Sequence, residues 1–421
     1  MLLDLDHWRE IKDALAANRA RTALTAFGVS WAVFMLLVML GAGNGLRNGV
    51  NEGFAGTASN SFFLWTNVTT KPWNGMSPGR GLRLHDADVQ YLRKAVPEAA
   101  VIAPRAQLGG WQGGNNVTHG TKAAGLSVMG DVPEMAHIKP VRLVTGRPLN
   151  PNDLTERRKV AVIGPRAQEL LFDPGEQPLG ATIFVQGVAF QIVGTFKPLN
   201  SGEDSEEDAN AVYVPLTTFQ VAFNQGDRVG WLAVMAQPGI RVSEVETKVV
   251  SLLQRRHDVA PDDKRAFGHW NMEEEFGKIQ GVFGAIRILT WIVGLGTLSA
   301  GAIGVSNVML VIVRERTREI GIRRSIGASP VSIMAQVILE STLLTAVAGY
   351  VGLVAGIAAV ELVAKVVDRM GSTGMFRHPE VSLENGVQAL VLLVAAGVLA
   401  GVIPARRAVS VRPVDALRGI A

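Results

Sequence analysis

The sequence predicts a membrane protein of four transmembrane α-helices, with a large mixed α/β extracytoplasmic domain between the first and second spans. Three observations predict it. Four stretches of 20 or more residues contain no Asp, Glu, Lys or Arg: Thr22–Leu46, Ile288–Val313, Ser341–Val360 and Asn385–Ala405. A hydrocarbon core about 30 Å thick needs roughly 20 apolar residues at about 1.5 Å each, so each stretch is long enough to cross it. Basic residues crowd into three short segments beside these stretches. Between the first two stretches lies a long region of strand and helix patterns separated by turn signals.

Composition agrees. The 421 residues are 48% hydrophobic and 19% charged, with mean hydropathy +0.22. That hydrophobicity excludes a disordered chain, and the low charge argues against an ordinary soluble enzyme. The net charge of +4 is too small to imply nucleic acid without a local patch. With no cysteine, disulfides, Cys–zinc sites, iron–sulfur clusters and thiol catalysis are excluded.

Residues 1–21 read as a cytoplasmic amphipathic helix (Leu5 to Arg21) lying on the membrane surface. The first span, 22–46, is too long for a signal-peptide h-region and no A-x-A-type site comes after it, so it reads as uncleaved. The second span is placed at 287–313, the third at 330–364 and the fourth at 385–405, with a cytoplasmic link at 314–329, a short external loop at 365–384 and a tail at 406–421. Orientation is set by Lys and Arg beside the spans. The N-terminal flank (Arg9, Lys12, Arg19, Arg21), the link (Arg314, Arg316, Arg318, Arg323, Arg324) and the tail (Arg406, Arg407, Arg412, Arg418) are all basic. Four spans put these three segments on one side, so both termini are expected in the cytoplasm.

The external domain is placed at 47–286, including a stalk. Residues 44–286 hold 24 Lys and Arg against 25 Asp and Glu, a net of −1, so the rest of the chain carries +5. Expected strands are Ala99–Ala103, Lys159–Ile163, Thr182–Gln186, Phe190–Thr195, Ala211–Val214 and Trp231–Ala236. Expected helices are Asp86–Ala95, Pro165–Leu171, Leu216–Phe223 and Val242–Arg256. The acidic run Glu203–Asp208 lacks the alternating spacing of a calcium loop and reads as a solvated loop. Scattered histidines, with no H-x-x-x-H and no G-x-S-x-G elbow, leave no metal or catalytic constellation. Asn271 to Val313 carries no proline and reads as one long helix entering the second span.

The link and the start of the third span, RERTREIGIRRSIGASPVSIMAQVILES (Arg314 to Ser341), carry the most information. Composition alone gives a short basic helix ended by Gly327 and Pro330, with Ile320, Ile322 and Ile326 for apolar contacts. The stretch resembles the coupling-helix region of FtsX/MacB-type ABC transporter permeases. Glu319 to Arg324, Ile326-Gly327-Ala328, Gln336 and Glu340 match the pattern, and Ser325 stands where Ala is usual. Further resemblance lies in Ala14–Val29, Val160–Phe172, Pro178–Phe196 and Pro404–Arg418. Little is recognised in Asn51 to Ala100 and Gly110 to Gly130.

The resemblance implies a dimeric permease, with a second copy or a paralogue, whose coupling helix docks on an ABC ATP-binding subunit. Transferred residue by residue, Glu319, Ile320, Gly321, Arg323 and Arg324 form that contact. No G-x-x-x-x-G-K-[ST] occurs, so no cofactor is expected in this chain, and ATP and Mg are expected on the partner subunit. The leading implied use is export through a tripartite assembly with a periplasmic adaptor and an outer-membrane channel. Lipoprotein release and regulation of a cell-wall hydrolase are alternatives within the family; a membrane scaffold or sensor without ATPase is the alternative outside it. The bacterial inner membrane is the implied location, with membrane lipid as surroundings and nucleic acid not a partner.

Two packing expectations remain. Gly296/Ala300/Gly304, Gly352/Gly356 and Gly397/Gly401 place small residues at four-residue spacing, which lets helices approach closely; contact between two copies is the favoured use. No span carries a central charge, which disfavours an ion relay, and Glu340 is placed to pair with the link arginines.

Overall fold

The charge-free stretches form the cores of four long helices in the computed structural model, which describes residues 19–54, 56–109, 115–199, 207–369 and 376–410. The surface helix expected before residue 19, residues 110–114, most of the acidic run and the end of the tail lie outside the described residues. The helices are Arg19–Phe54, Met272–Glu315, Pro330–Arg369 and Leu383–Ser410, and all four are long and apolar enough to cross a membrane. The second has 44 residues, or about 66 Å at the usual rise, roughly twice a hydrocarbon core.

The chain divides into two compact units, 1–49 with 282–421, and 50–281. In the membrane unit the helices share one apolar core, including Val29, Val33 and Leu37 of the first span, Val305 and Met309 of the second, Val337 and Leu344 of the third, and Leu393 and Ala400 of the fourth. The small residues have particular neighbours. A side chain at Gly352 would strike the carbonyl of Ser30, and one at Gly356 would meet Leu37, both on the first span. Gly397 and Gly401 lie against Thr342, Thr345 and Ser341 of the third. These two pairs are therefore occupied within one chain, which corrects the expectation that they serve contact between copies. Close backbone approach is still their physical use. Beside Gly296 there is open space.

In chain order, the strands of the external unit are β1 (Ser61–Thr66), β2 (Leu84–His85), β3 (Ala99–Gln107), β4 (Asn115–His119), β5 (Lys122–Asp131), β6 (Val141–Gly146) and β7 (Val160–Ile163). Then come β8 (Thr182–Val185), β9 (Val188–Pro198), β10 (Ala211–Pro215), β11 (Arg228–Val229), β12 (Trp231–Ala236) and β13 (Phe267–Asn271). Six of them close on themselves in the order β10-β7-β9-β8-β4-β5, because β10 also pairs in parallel with β5 (Val212 opposite Val128). Leu126, Val128, Ile163, Ile183, Phe190 and Val214 fill the interior of this ring. From β5 the sheet continues through β3, β12 and β1 to β13. Helices Asp86–Ala95 and Val242–Arg256 cover one face of that extension, joining Val89, Leu92, Val245, Val249 and Leu253 to Phe62, Leu64 and Leu232.

Two carboxylates tie these layers together. Arg105 of β3 grips Asp131, at the end of β5, with Nε 3.2 Å from Oδ1 and an Nη 2.5 Å from Oδ2; both side chains are buried. The guanidinium lies 5.0 Å from the Tyr213 ring centre. Burial alone would favour a neutral guanidinium, but Asp131 raises its pKa and keeps it charged.

Asp88 caps the helix Asp86–Ala95 by accepting from the His85 backbone N–H at 2.9 Å. It also accepts from Arg256 (2.6 Å) and contacts His257 (3.1 Å) on the covering helix. Burial opposes its charge; hydrogen bonds from His257, His85 and Arg256 outweigh that and bring its pKa to about 2. A carboxylate with a depressed folded pKa stabilises above its unfolded value and loses that contribution as pH falls through the folded one. Asp88→Asn should therefore flatten the loss of stability between about pH 4 and pH 2, read from chemical denaturation at each pH.

Candidate functional site

The long second helix stops where the basic link begins. Arg316 leaves helical geometry (φ −93°, ψ 12°), and a nine-residue helix, Thr317–Ser325, comes next. Gly327 ends it in the left-handed region at φ +103°. Its N–H bonds the Arg324 carbonyl and the Ala328 N–H bonds that of Arg323, a Schellman closure. The third long helix then starts at Pro330, with the Ser332 N–H donating to Ser329 Oγ at 3.2 Å.

A closed ring of polar side chains fixes this short helix to the third span. Arg316 reaches Glu340 at 3.1 Å and Glu319 at 3.2 Å. Glu319 pairs with Arg323 at 2.8 Å. Arg323 donates to Gln336 at 3.1 Å, and Gln336 donates to Glu340 at 3.3 Å. Two arginines and two glutamates cancel, so the ring satisfies the buried Glu340 carboxylate, 7% exposed, without adding net charge. The space among them, about 30 Å³, is too small for an organic ligand.

The five residues singled out by sequence lie on or beside this anchored face. Glu319 and Arg323 belong to the ring, Ile320 packs against the bundle core, and Gly321 is buried. Arg324 donates to the Val409 carbonyl at 2.7 Å, joining the link to the end of the fourth span helix. The opposite face is different. Arg318, Ile322, Ser325 and Ile326 are exposed, with Ile322 at 40% and Ile326 at 82%. Residues at i, i+4, i+7 and i+8 share one side of a helix, so a helical wheel on the link would have picked them out. An apolar pair flanked by arginine, on a helix pinned from behind, is suited to a groove with acidic walls. Among the described residues no group of His, Asp and Glu could hold a metal ion.

A family model described as MacB-like periplasmic core domain matches residues 22–252, more than half of the chain. A second, described as FtsX-like permease C-terminal, matches residues 291–413 and so includes the whole link. The chain belongs to the FtsX/MacB-type ABC transporter permeases. With four apolar helices it is a multi-pass protein of the inner membrane. The permease is 28% identical over 421 residues to the ABC transporter permease YvrN of Bacillus subtilis, covering 98% of this chain and 99% of that one. It is 26% identical to the macrolide export ATP-binding/permease protein MacB of Bdellovibrio bacteriovorus, across 98% of this chain and 62% of the relative. It is 29% identical to the pyoverdine export ATP-binding/permease protein PvdT of Pseudomonas entomophila, across 95% and 57%. The permease thus spans about six-tenths of the length of these two export proteins. The crystal structure of the periplasmic region of MacB from Actinobacillus actinomycetemcomitans aligns with TM-score 0.42 and 18% identity, over 54% of this chain and 95% of that one.

Proposed function

We propose that the permease forms the membrane half of an exporter whose ATP and Mg are bound by a partner subunit docked on the exposed face of the link helix. The observation that carries this reading is the two-faced link: a ring of five side chains holds one side, and Arg318, Ile322, Ser325 and Ile326 are presented on the other. The link then lies in the cytoplasm with both termini. Glu319, Ile320, Gly321, Arg323 and Arg324 hold the helix in the orientation the partner reads.

Two copies, or one with a paralogue, give a symmetric pair of links. ATP-driven closure of the partner subunits moves them. The long helix that ends at the link carries this displacement to the external domains. Transport by such movement needs no polar path through the spans, in keeping with the absence of a central charge. The export named for two relatives supports a periplasmic adaptor and outer-membrane channel as further partners.

Ile326→Asp tests the docking face, because it leaves the ring intact. A central apolar anchor in an interface contributes about 2 kcal/mol or more, so the variant should retain the ATP-binding subunit roughly thirtyfold less well on co-purification. Retention equal to wild type would overturn this docking face.

A further inference from the structure

The external unit contains a cavity of about 230 Å³, lined by Asn51, Phe54, Thr57, Ser59, Met272 and Phe276. The chain enters and leaves the unit through these residues, so the walls come from a helix end (Asn51, Phe54) and a helix start (Met272, Phe276). Phe54 and Phe276 meet edge to face, with ring centres 6.2 Å apart. Asn51, Thr57 and Ser59 supply the polar part of the lining, and Asn51 differs from the other two in its pairing. Its Oδ1 is buried and has no hydrogen-bond partner among the described residues. A buried amide oxygen left unpaired is unfavourable, and rotation about χ2 turns either end of the carboxamide toward an occupant.

We propose that this cavity binds a small aromatic compound of about two fused rings that carries one hydroxyl or amide N–H. Size sets the first part of that class. An apolar cavity of about 150 Å³ accommodates benzene, so the larger one here suits a body of roughly ten heavy atoms. Chemistry sets the second. The phenylalanine edges and the Met272 thioether match an aromatic face, while the unpaired Asn51 Oδ1 accepts from the ligand's O–H or N–H.

The test uses the full chain in nanodiscs, with 2-naphthol and naphthalene as probes and empty nanodiscs of the same lipid as background. Saturable binding of 2-naphthol, one per chain and about tenfold tighter than naphthalene, is expected. Asn51→Leu should remove that tenfold difference while leaving naphthalene unchanged, and Phe276→Trp, which narrows the cavity without filling it, should weaken both. No saturable binding above empty nanodiscs, equal affinity for the two probes in wild type, or unchanged binding in Phe276→Trp would each overturn the proposal. Asn51→Leu leaves the apolar walls in place, so the hydrogen-bond part stays testable if the Trp variant fails to fold.

Discussion

Arg105→Met is expected to destabilise the external unit by about 3–5 kcal/mol, because it leaves the buried Asp131 carboxylate without its counter-charge. Both side chains are nearly sealed from water. Among the described residues, Asp131 would keep a single main-chain donor, the Val132 N–H at 2.9 Å. Removing both charges has a different consequence. Arg105→Met combined with Asp131→Leu should recover most of the loss, since a buried ion pair replaced by apolar groups of similar volume is often neutral. The two single variants and the double, unfolded in urea and followed by tryptophan fluorescence, form a cycle that isolates the pair. Trp231 reports locally, as it sits opposite Arg105 in the β3–β12 register. Equal destabilisation in single and double variants would mean that packing volume, not charge pairing, holds this junction.

Glu340→Leu should release the link helix. The ring closes on Glu340, which Arg316 and Gln336 both contact. Without it, Arg316 keeps Glu319, and Arg323 keeps Glu319 and Gln336, so the helix retains its internal pairs but loses its tie to the third span through Arg316. Hydrogen bonds to a charged group contribute about 1.5–3 kcal/mol. Amide hydrogen exchange across 317–325 should accordingly accelerate by about thirtyfold. Protection equal to wild type would show that Arg323 on Gln336, Arg324 on the Val409 carbonyl and the packing of Ile320 are enough to hold the link.

The parts of this molecule that depend on local sequence are legible in it, and the parts that depend on distant pairing are not. Val160–Ile163 is a run of buried β-branched and small residues ending at Gly-Pro, and it is both an expected and an observed strand. Val242–Arg256 repeats its apolar residues at helical spacing and is a helix over the same bounds. Lys122–Asp131 reads KAAGLSVMGD, whose small residues and two glycines give little strand signal. Yet that strand pairs with three others and closes the ring. Its stability comes from neighbours far along the chain, which no local pattern records. Ser61–Thr66 is a further strand that the sequence reading does not include, in a region where little is recognised.

The link is legible in kind and less so in detail. Its motif overlaps the helix Thr317–Ser325 but does not tell which side faces out. Glu319 and Arg323 stand out by charge, and they are spent on Arg316, Gln336 and each other. Ile322 and Ile326, expected to make apolar contacts, are exposed, while Ile320 alone of the three packs against the bundle core. The small-residue pairs likewise predict close approach correctly, and only the structure tells which helix approaches.

In the proposed mechanism, ATP bound by a partner on the link moves the external domains through the long second helix. The chain has no cysteine, so Gly277→Cys, on the exposed surface of that helix, gives one unique label per copy. Cross-linking between two labelled copies, assembled with the ATP-binding subunit in nanodiscs, measures this movement most directly. The yield should change when ATP is added, and Ile326→Asp should remove the change. A cross-linking pattern identical with and without ATP, in assemblies that retain the subunit, would contradict the mechanism.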